Sequence, residues 1–150
     1  MGYESLLIKA EQHGVNIYEI GLRSPAKGLI KNNIIAINKN ISATEKTCVL
    51  AEELGHYFTS TGNILDQSSI SNRKQEYRAR AWSYETLISL ERIVEVGQAG
   101  IEGRHAVAEY LGVTEEFLQN TIEHYQRKYG LHTFYREFLI YFEPLQVIRL

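Results

Sequence analysis

The chain has 150 residues, 44% of them hydrophobic, with 16 Lys and Arg against 18 Asp and Glu and a formal charge of −2. That length suits one domain with its own core, and the near-balanced charge gives no general attraction to nucleic acid or to an acidic membrane surface. One cysteine, Cys48, excludes an intramolecular disulfide and agrees with a reducing, cytoplasmic location.

The opening Met1-Gly2-Tyr3-Glu4 lacks the basic and apolar regions of an export signal, and Leu6 stands where a myristoylation pattern needs Ser or Thr. No apolar run approaches membrane-spanning length, so neither export nor anchoring is expected. Leu6, Leu7 and Ala10 recur at helical spacing and predict a first helix over 3–12, closed by His13-Gly14. Val15 to Ile20 reads as a strand. Gly28-Leu29-Ile30 and Ile34 to Asn38 read as two more around the polar turn Lys31-Asn32-Asn33. A small antiparallel sheet is expected.

Ser42-Ala43-Thr44-Glu45 is a capping box and starts a helix. Inside it lies Cys48-Val49-Leu50-Ala51-Glu52-Glu53-Leu54-Gly55-His56-Tyr57, which has the register of H-E-x-x-H with glutamate in place of the first histidine. Glu52 and His56, about 6 Å apart along the axis, share a face, and a carboxylate is an acceptable zinc ligand. Glu53 holds the position of the general base. Val49, Leu50, Leu54 and Phe58 form an apolar stripe toward the sheet, which puts Glu52, Glu53 and His56 on or near the opposite side. Gly55 weakens the helix and suggests close approach by another backbone. Cys48 lies about 12 Å along the axis from His56, too far to share one ion, and reads as a buried apolar-like residue. A blander account stays open, with Glu53 a solvated charge and His56 a satisfied polar side chain.

The helix should end near Ser60 to Asn63, with a polar loop to Ser71. From Asn72 the pattern is helical again, with Glu76, Ala79, Trp82, Ser83 and Leu87 on one face and small Ala79 and Ala81 permitting close packing. Glu76 is the candidate third ligand from a second helix, or else an acid placed to suit the helix macrodipole. His13, His105, His124 and His132 stand in no motif and read as structural or surface residues.

Ala108, Gly112 and Leu118 have the spacing of a helix-turn-helix, yet the second helix carries Glu115, Glu116 and Glu123, a poor surface for phosphates. DNA is therefore an unlikely partner, and the stretch 100–130 reads as a helical hairpin. After Gly130, Phe138 to Phe142 and Leu145 to Leu150 read as one or two terminal strands that extend the sheet or cover an edge, with Pro144 limiting pairing. The whole is expected to be a single α+β domain over 1–150, mostly helical, with a metallopeptidase-like core over 1–95 and terminal strands over 131–150.

The order of sheet, Ala51-Glu52-Glu53-Leu54-Gly55-His56-Tyr57 helix, loop, and Glu76-Tyr77-Arg78-Ala79-Arg80-Ala81-Trp82 resembles the ImmA/IrrE family of metallo-endopeptidases over residues 3–90. Members carry H-E-L-G-H on the first helix and E-x-x-A-x-x-[FW] on the next. The resemblance implies a two-helix, zincin-like site with Zn²⁺ or another divalent metal on Glu52, His56 and Glu76, and with Glu53 as catalytic base. It also implies cleavage of a helix-turn-helix repressor, relieving repression of a prophage, a mobile element or stress genes. Glu52 departs from the family's histidine and makes the ligand set harder and more anionic. Two other functions fit the same residues: a non-catalytic, antirepressor-like protein that captures the repressor, and a DNA-binding regulator using Ala108 to Ile122.

Overall fold

A computed structural model describes residues 2–60 and 70–150. The chain is α+β and about half helical, with six helices and six strands among the described residues. It divides into two compact units, Met1–Ser83 and Tyr84–Leu150. No helix among the described residues is long and apolar enough to cross a membrane. Most of the polar loop expected between Ser60 and Ser71 lies outside the described residues.

In the first unit, α1 (Tyr3–Gln12) is followed by β1 (Asn16–Ile20), β2 (Gly28–Lys31) and β3 (Ile34–Asn38), then α2 (Ala43–Thr59) and the start of α3 (Ile70–Leu87). The β2–β3 hairpin pairs Lys31 with Ile34 across Asn32-Asn33, and Asn32 takes a positive φ of 54°, which asparagine tolerates. The sheet order is β1-β3-β2, and β1 joins β3 in parallel, so the sheet is mixed where an antiparallel one was expected. The chain leaves β1, crosses to the far edge as β2, and returns through the hairpin into the middle. Ile35 and Ile37 on the central strand are fully buried, with Leu6, Ala10, Leu50, Ala51 and Leu54. The Ser42 hydroxyl accepts from the Glu45 amide at 3.1 Å and starts α2 where the capping box predicts, an arrangement that contributes about 1 kcal/mol.

The second unit holds the end of α3, then α4 (Leu90–Gln98), α5 (Arg104–Leu111), α6 (Glu115–Tyr129), β4 (His132–Tyr135), β5 (Phe138–Phe142) and β6 (Leu145–Arg149). Gly112 closes α5 at φ 71°, and the Thr114 hydroxyl accepts from the Phe117 amide to start α6, so the expected helical hairpin is present. The terminal strands do not extend the first sheet. They form their own antiparallel sheet, β4-β5-β6, and Pro144 sits in the two-residue turn after the Phe142–Leu145 pair, where its missing N–H costs no ladder bond. Tyr125 is buried, stacks on Phe142 with ring centroids 5.6 Å apart, and donates its hydroxyl to the Ile88 carbonyl.

His124 is buried and structural. Its Nε2 lies 2.8 Å from Glu85 Oε2, and Lys128 Nζ donates to both Glu85 oxygens at 2.9 and 3.1 Å. Burial pulls the Glu85 carboxyl upward, but the bonds from Lys128 and His124 outweigh it and hold the group below the ordinary glutamate range. A carboxylate depressed by folding adds stability above its unfolded pKa and loses it as the pH falls through the folded value. Unfolding midpoints are therefore expected to drop in acid below about pH 4 in the wild type, and less steeply in Glu85→Gln, which starts from a lower midpoint at pH 7. Coincident profiles for the two proteins would mean that the cluster adds no net stability.

Candidate functional site

The site is built where α2 and α3 meet inside the first unit. A Cβ placed on Gly55 would lie 2.2 Å from the Ala79 carbonyl oxygen and 3.0 Å from its carbon, so the two helix backbones touch there. This is the close approach that Gly55 suggests in the sequence. It carries His56, next along α2, up to Glu76, one turn before Ala79 on α3. His56 Nε2 lies 3.3 Å from Glu76 Oε2, with 13% and 19% of the two side chains exposed. Arg80, one turn further along α3, holds the other Glu76 oxygen, Nε to Oε1, at 3.2 Å. One carboxylate is thus shared between an imidazole and a guanidinium.

Glu53 does not lie away from the sheet, as the apolar stripe suggests. A Cβ on Gly28 would come within 3.3 Å of Glu53 Cγ and 3.4 Å of Glu53 Oε1, and within 2.5 Å of Val49 Cγ1, so Glu53 packs against the edge strand β2. Val49 and Glu53 are i,i+4 neighbours, and the face that buries one draws in the other. Phe58 turns instead toward α3, its ring 5.1 Å from that of Trp82.

Burial raises the Glu53 carboxyl, and the charges of Glu52 and Glu76 raise it further, to about 7. His56 moves the other way: burial lowers its pKa, Glu76 pulls it up and Arg80 pushes it down, and the result is below the ordinary histidine value. The neutral imidazole, the metal-ligating form, is favoured. His56 Nδ1, Ser60 Oγ and Gln75 Oε1 are buried and find no hydrogen-bond partner among the described residues.

Of the residues singled out in the sequence, His56 and Glu76 are brought together, with Glu53 beside them. Glu52 is half-buried on α2, and its charge reaches Glu53. No group of three or more His, Cys, Asp or Glu side chains able to hold one ion is assembled among the described residues. A divalent cation fits the site in charge, because it would relieve the crowding of carboxylates that raises Glu53, and in two donors, His56 and Glu76. Cys48 is buried in the core. Sequence reasoning missed Arg80 and Gly28. The first was signalled by its i,i+4 spacing from Glu76, and the second only by a glycine inside a strand pattern.

A family model described as the IrrE N-terminal-like domain, peptidase family M78, matches residues 10–123, and the chain belongs to that family. No curated protein matches the chain.

Proposed function

We propose that this member of the M78 peptidase family is a zinc-dependent endopeptidase that acts in the cytoplasm on a helix-turn-helix repressor. The observation that carries the reading is the meeting of His56 Nε2 and Glu76 Oε2 across two helices whose backbones touch at Gly55, with Glu53 beside them. His56, Glu76 and Glu52 are the residues that would hold the ion. Zinc bound there would supply Lewis acidity toward water and toward the scissile carbonyl.

The chain's own residues do the rest. Arg80 ties down Oε1 of Glu76 and leaves Oε2 for the metal side. Glu53, packed beside the pair and buried against β2, takes the proton of the attacking water on its carboxylate and returns it to the leaving amine. β2 is an edge strand among the described residues, and its outer side offers backbone groups to which an extended peptide can add beside Glu53. The repressor as substrate, and relief of repression as outcome, rest on the family resemblance of the two motifs.

Two observations favour a second reading, capture of the repressor without cutting it: Glu52 replaces the family's histidine, and no three-donor cluster is assembled among the described residues. A DNA-binding role has less support, since the exposed side of α6 carries Glu115, Glu116 and Glu123. Metal analysis tests the first reading. Wild type purified without added metal is expected to carry roughly one zinc per chain, and His56→Ala close to none. Equal and negligible zinc in both, after incubation with excess zinc, would remove the metal site and leave capture.

A further inference from the structure

Between Arg73 and Arg80 the solvent side of α3 carries four exposed cations, Arg73, Lys74, Arg78 and Arg80, around the exposed ring of Tyr77. The chain as a whole is slightly acidic, and the one acid in this span, Glu76, is turned toward His56. At about 100° per residue, Arg80, Arg73 and Tyr77 fall within about 60° of one another beside Glu76, and Lys74 and Arg78 continue around the exposed side. Arg73, Lys74 and Arg78 make no ion pair among the described residues, and Arg80 is anchored through Nε to Glu76 with more than half of its side chain exposed.

Arg80 pairs with Glu76 one turn back, but the other three charges do not serve the helix that bears them. Lys74 and Arg78 are like charges at i,i+4, which disfavours a helix, and Arg73 and Lys74 lie near the N-terminal end of α3, where the macrodipole is positive and the first turn has no acid. The like-charge pair and Arg73, the one of these within the first turn, cost the helix stability that a bound anionic group would restore.

We propose that this face of α3 docks an acidic segment of the polypeptide substrate, with Asp or Glu side chains set against Arg73, Arg80 and Tyr77. The inference rests on the peptidase reading and names the substrate class for the same site. It also explains how an acidic sequence approaches a centre ringed by Glu52, Glu53 and Glu76: its charges fall on α3, to one side of those carboxylates. A nucleic acid fits less well, because the cations span only about 10 Å along the axis and the neighbouring carboxylates repel a phosphate backbone.

The test titrates three fluorescein-labelled probes by anisotropy at low and high salt: a short glutamate-rich peptide, its glutamine counterpart, and duplex DNA. The proteins are wild type, His56→Ala, and the double variant Arg73→Glu/Lys74→Glu, whose substitutions are exposed and suit the helix end. Wild type is expected to bind the glutamate peptide about tenfold more tightly than the glutamine peptide at low salt, and to lose that margin at high salt. The double variant should lose it at low salt as well, and His56→Ala should keep it. Equal binding of the two peptides, indifference to the charge reversal, or tighter binding of duplex DNA would overturn the proposal. Cleavage of the repressor encoded nearest the gene, co-expressed with the wild type and lost with Glu53→Gln, is followed separately. Cleavage without acidic preference sinks the docking face and spares the peptidase, whereas acidic preference with no cleavage spares the face and sinks the peptidase.

Discussion

Gly55→Ala is expected to destabilise the protein by about 2 kcal/mol and to separate His56 from Glu76. Helix propensity alone gives the opposite sign, since alanine in a helix interior is favoured over glycine by about 1 kcal/mol. Contact decides the matter. The added methyl would lie 2.2 Å from the Ala79 oxygen, 3.0 Å from its carbonyl carbon and 3.3 Å from its Cα. All three are backbone atoms of a packed helix, which yield only if α3 moves as a body. Gly28 differs, because there the nearest atom is a side-chain methyl of Val49 that can turn aside. Denaturant unfolding of Gly55→Ala measures the loss, and zinc content reports on the pair. A variant as stable as the wild type would show that the two backbones do not touch.

Glu53→Gln is expected to lower cleavage by roughly 10²- to 10⁴-fold while leaving zinc and partner binding in place, because glutamine keeps the side chain's size and loses its basicity. In the metal-free protein the same substitution should favour the fold as the pH rises from 5 to 8. A carboxyl raised on folding holds its proton over the window between its unfolded value, 4.5, and about 7, so the unfolded state ionises first and stability falls as the pH climbs through that window. Glutamine has no such loss, and the gap between the two proteins' unfolding midpoints should widen from pH 5 to pH 8 in the variant's favour. Glu52→His, which restores the family's ligand, should tighten zinc and raise the rate if the carboxylate limits it. Co-expression of each variant with the repressor encoded nearest the gene, followed by repressor length, reads out cleavage. Should wild type and Glu52→His both bind that repressor and leave it whole, capture replaces cleavage for that partner.

What could be read along the chain was what neighbouring residues decide. The Ser42 cap set the start of α2, helical spacing put Glu52, Glu53 and His56 on adjoining turns, and Gly55 signalled a close contact, because capping and periodicity act over a few residues. Family membership was legible for the same reason, since the two motifs are short and lie in order. The Ser89 cap that starts α4 is equally local, its hydroxyl accepting from the Arg92 amide.

Pairing partners and pKa values come from residues distant in sequence, so the fold alone decided them. Nothing in Asn16 to Ile20 says that β1 lies parallel to β3, and nothing after Gly130 says that the last strands close on one another rather than on the first sheet. Glu53 read as lying opposite the apolar stripe, yet at about 100° per residue it falls about 40° from Val49 and about 60° from Leu50, so its spacing already put it beside the buried face; what only the fold supplies is the strand, β2, that Gly28 lets press against it. Burial beside that strand, together with charges from its own helix and from α3, turned an ordinary glutamate into a group that titrates near 7.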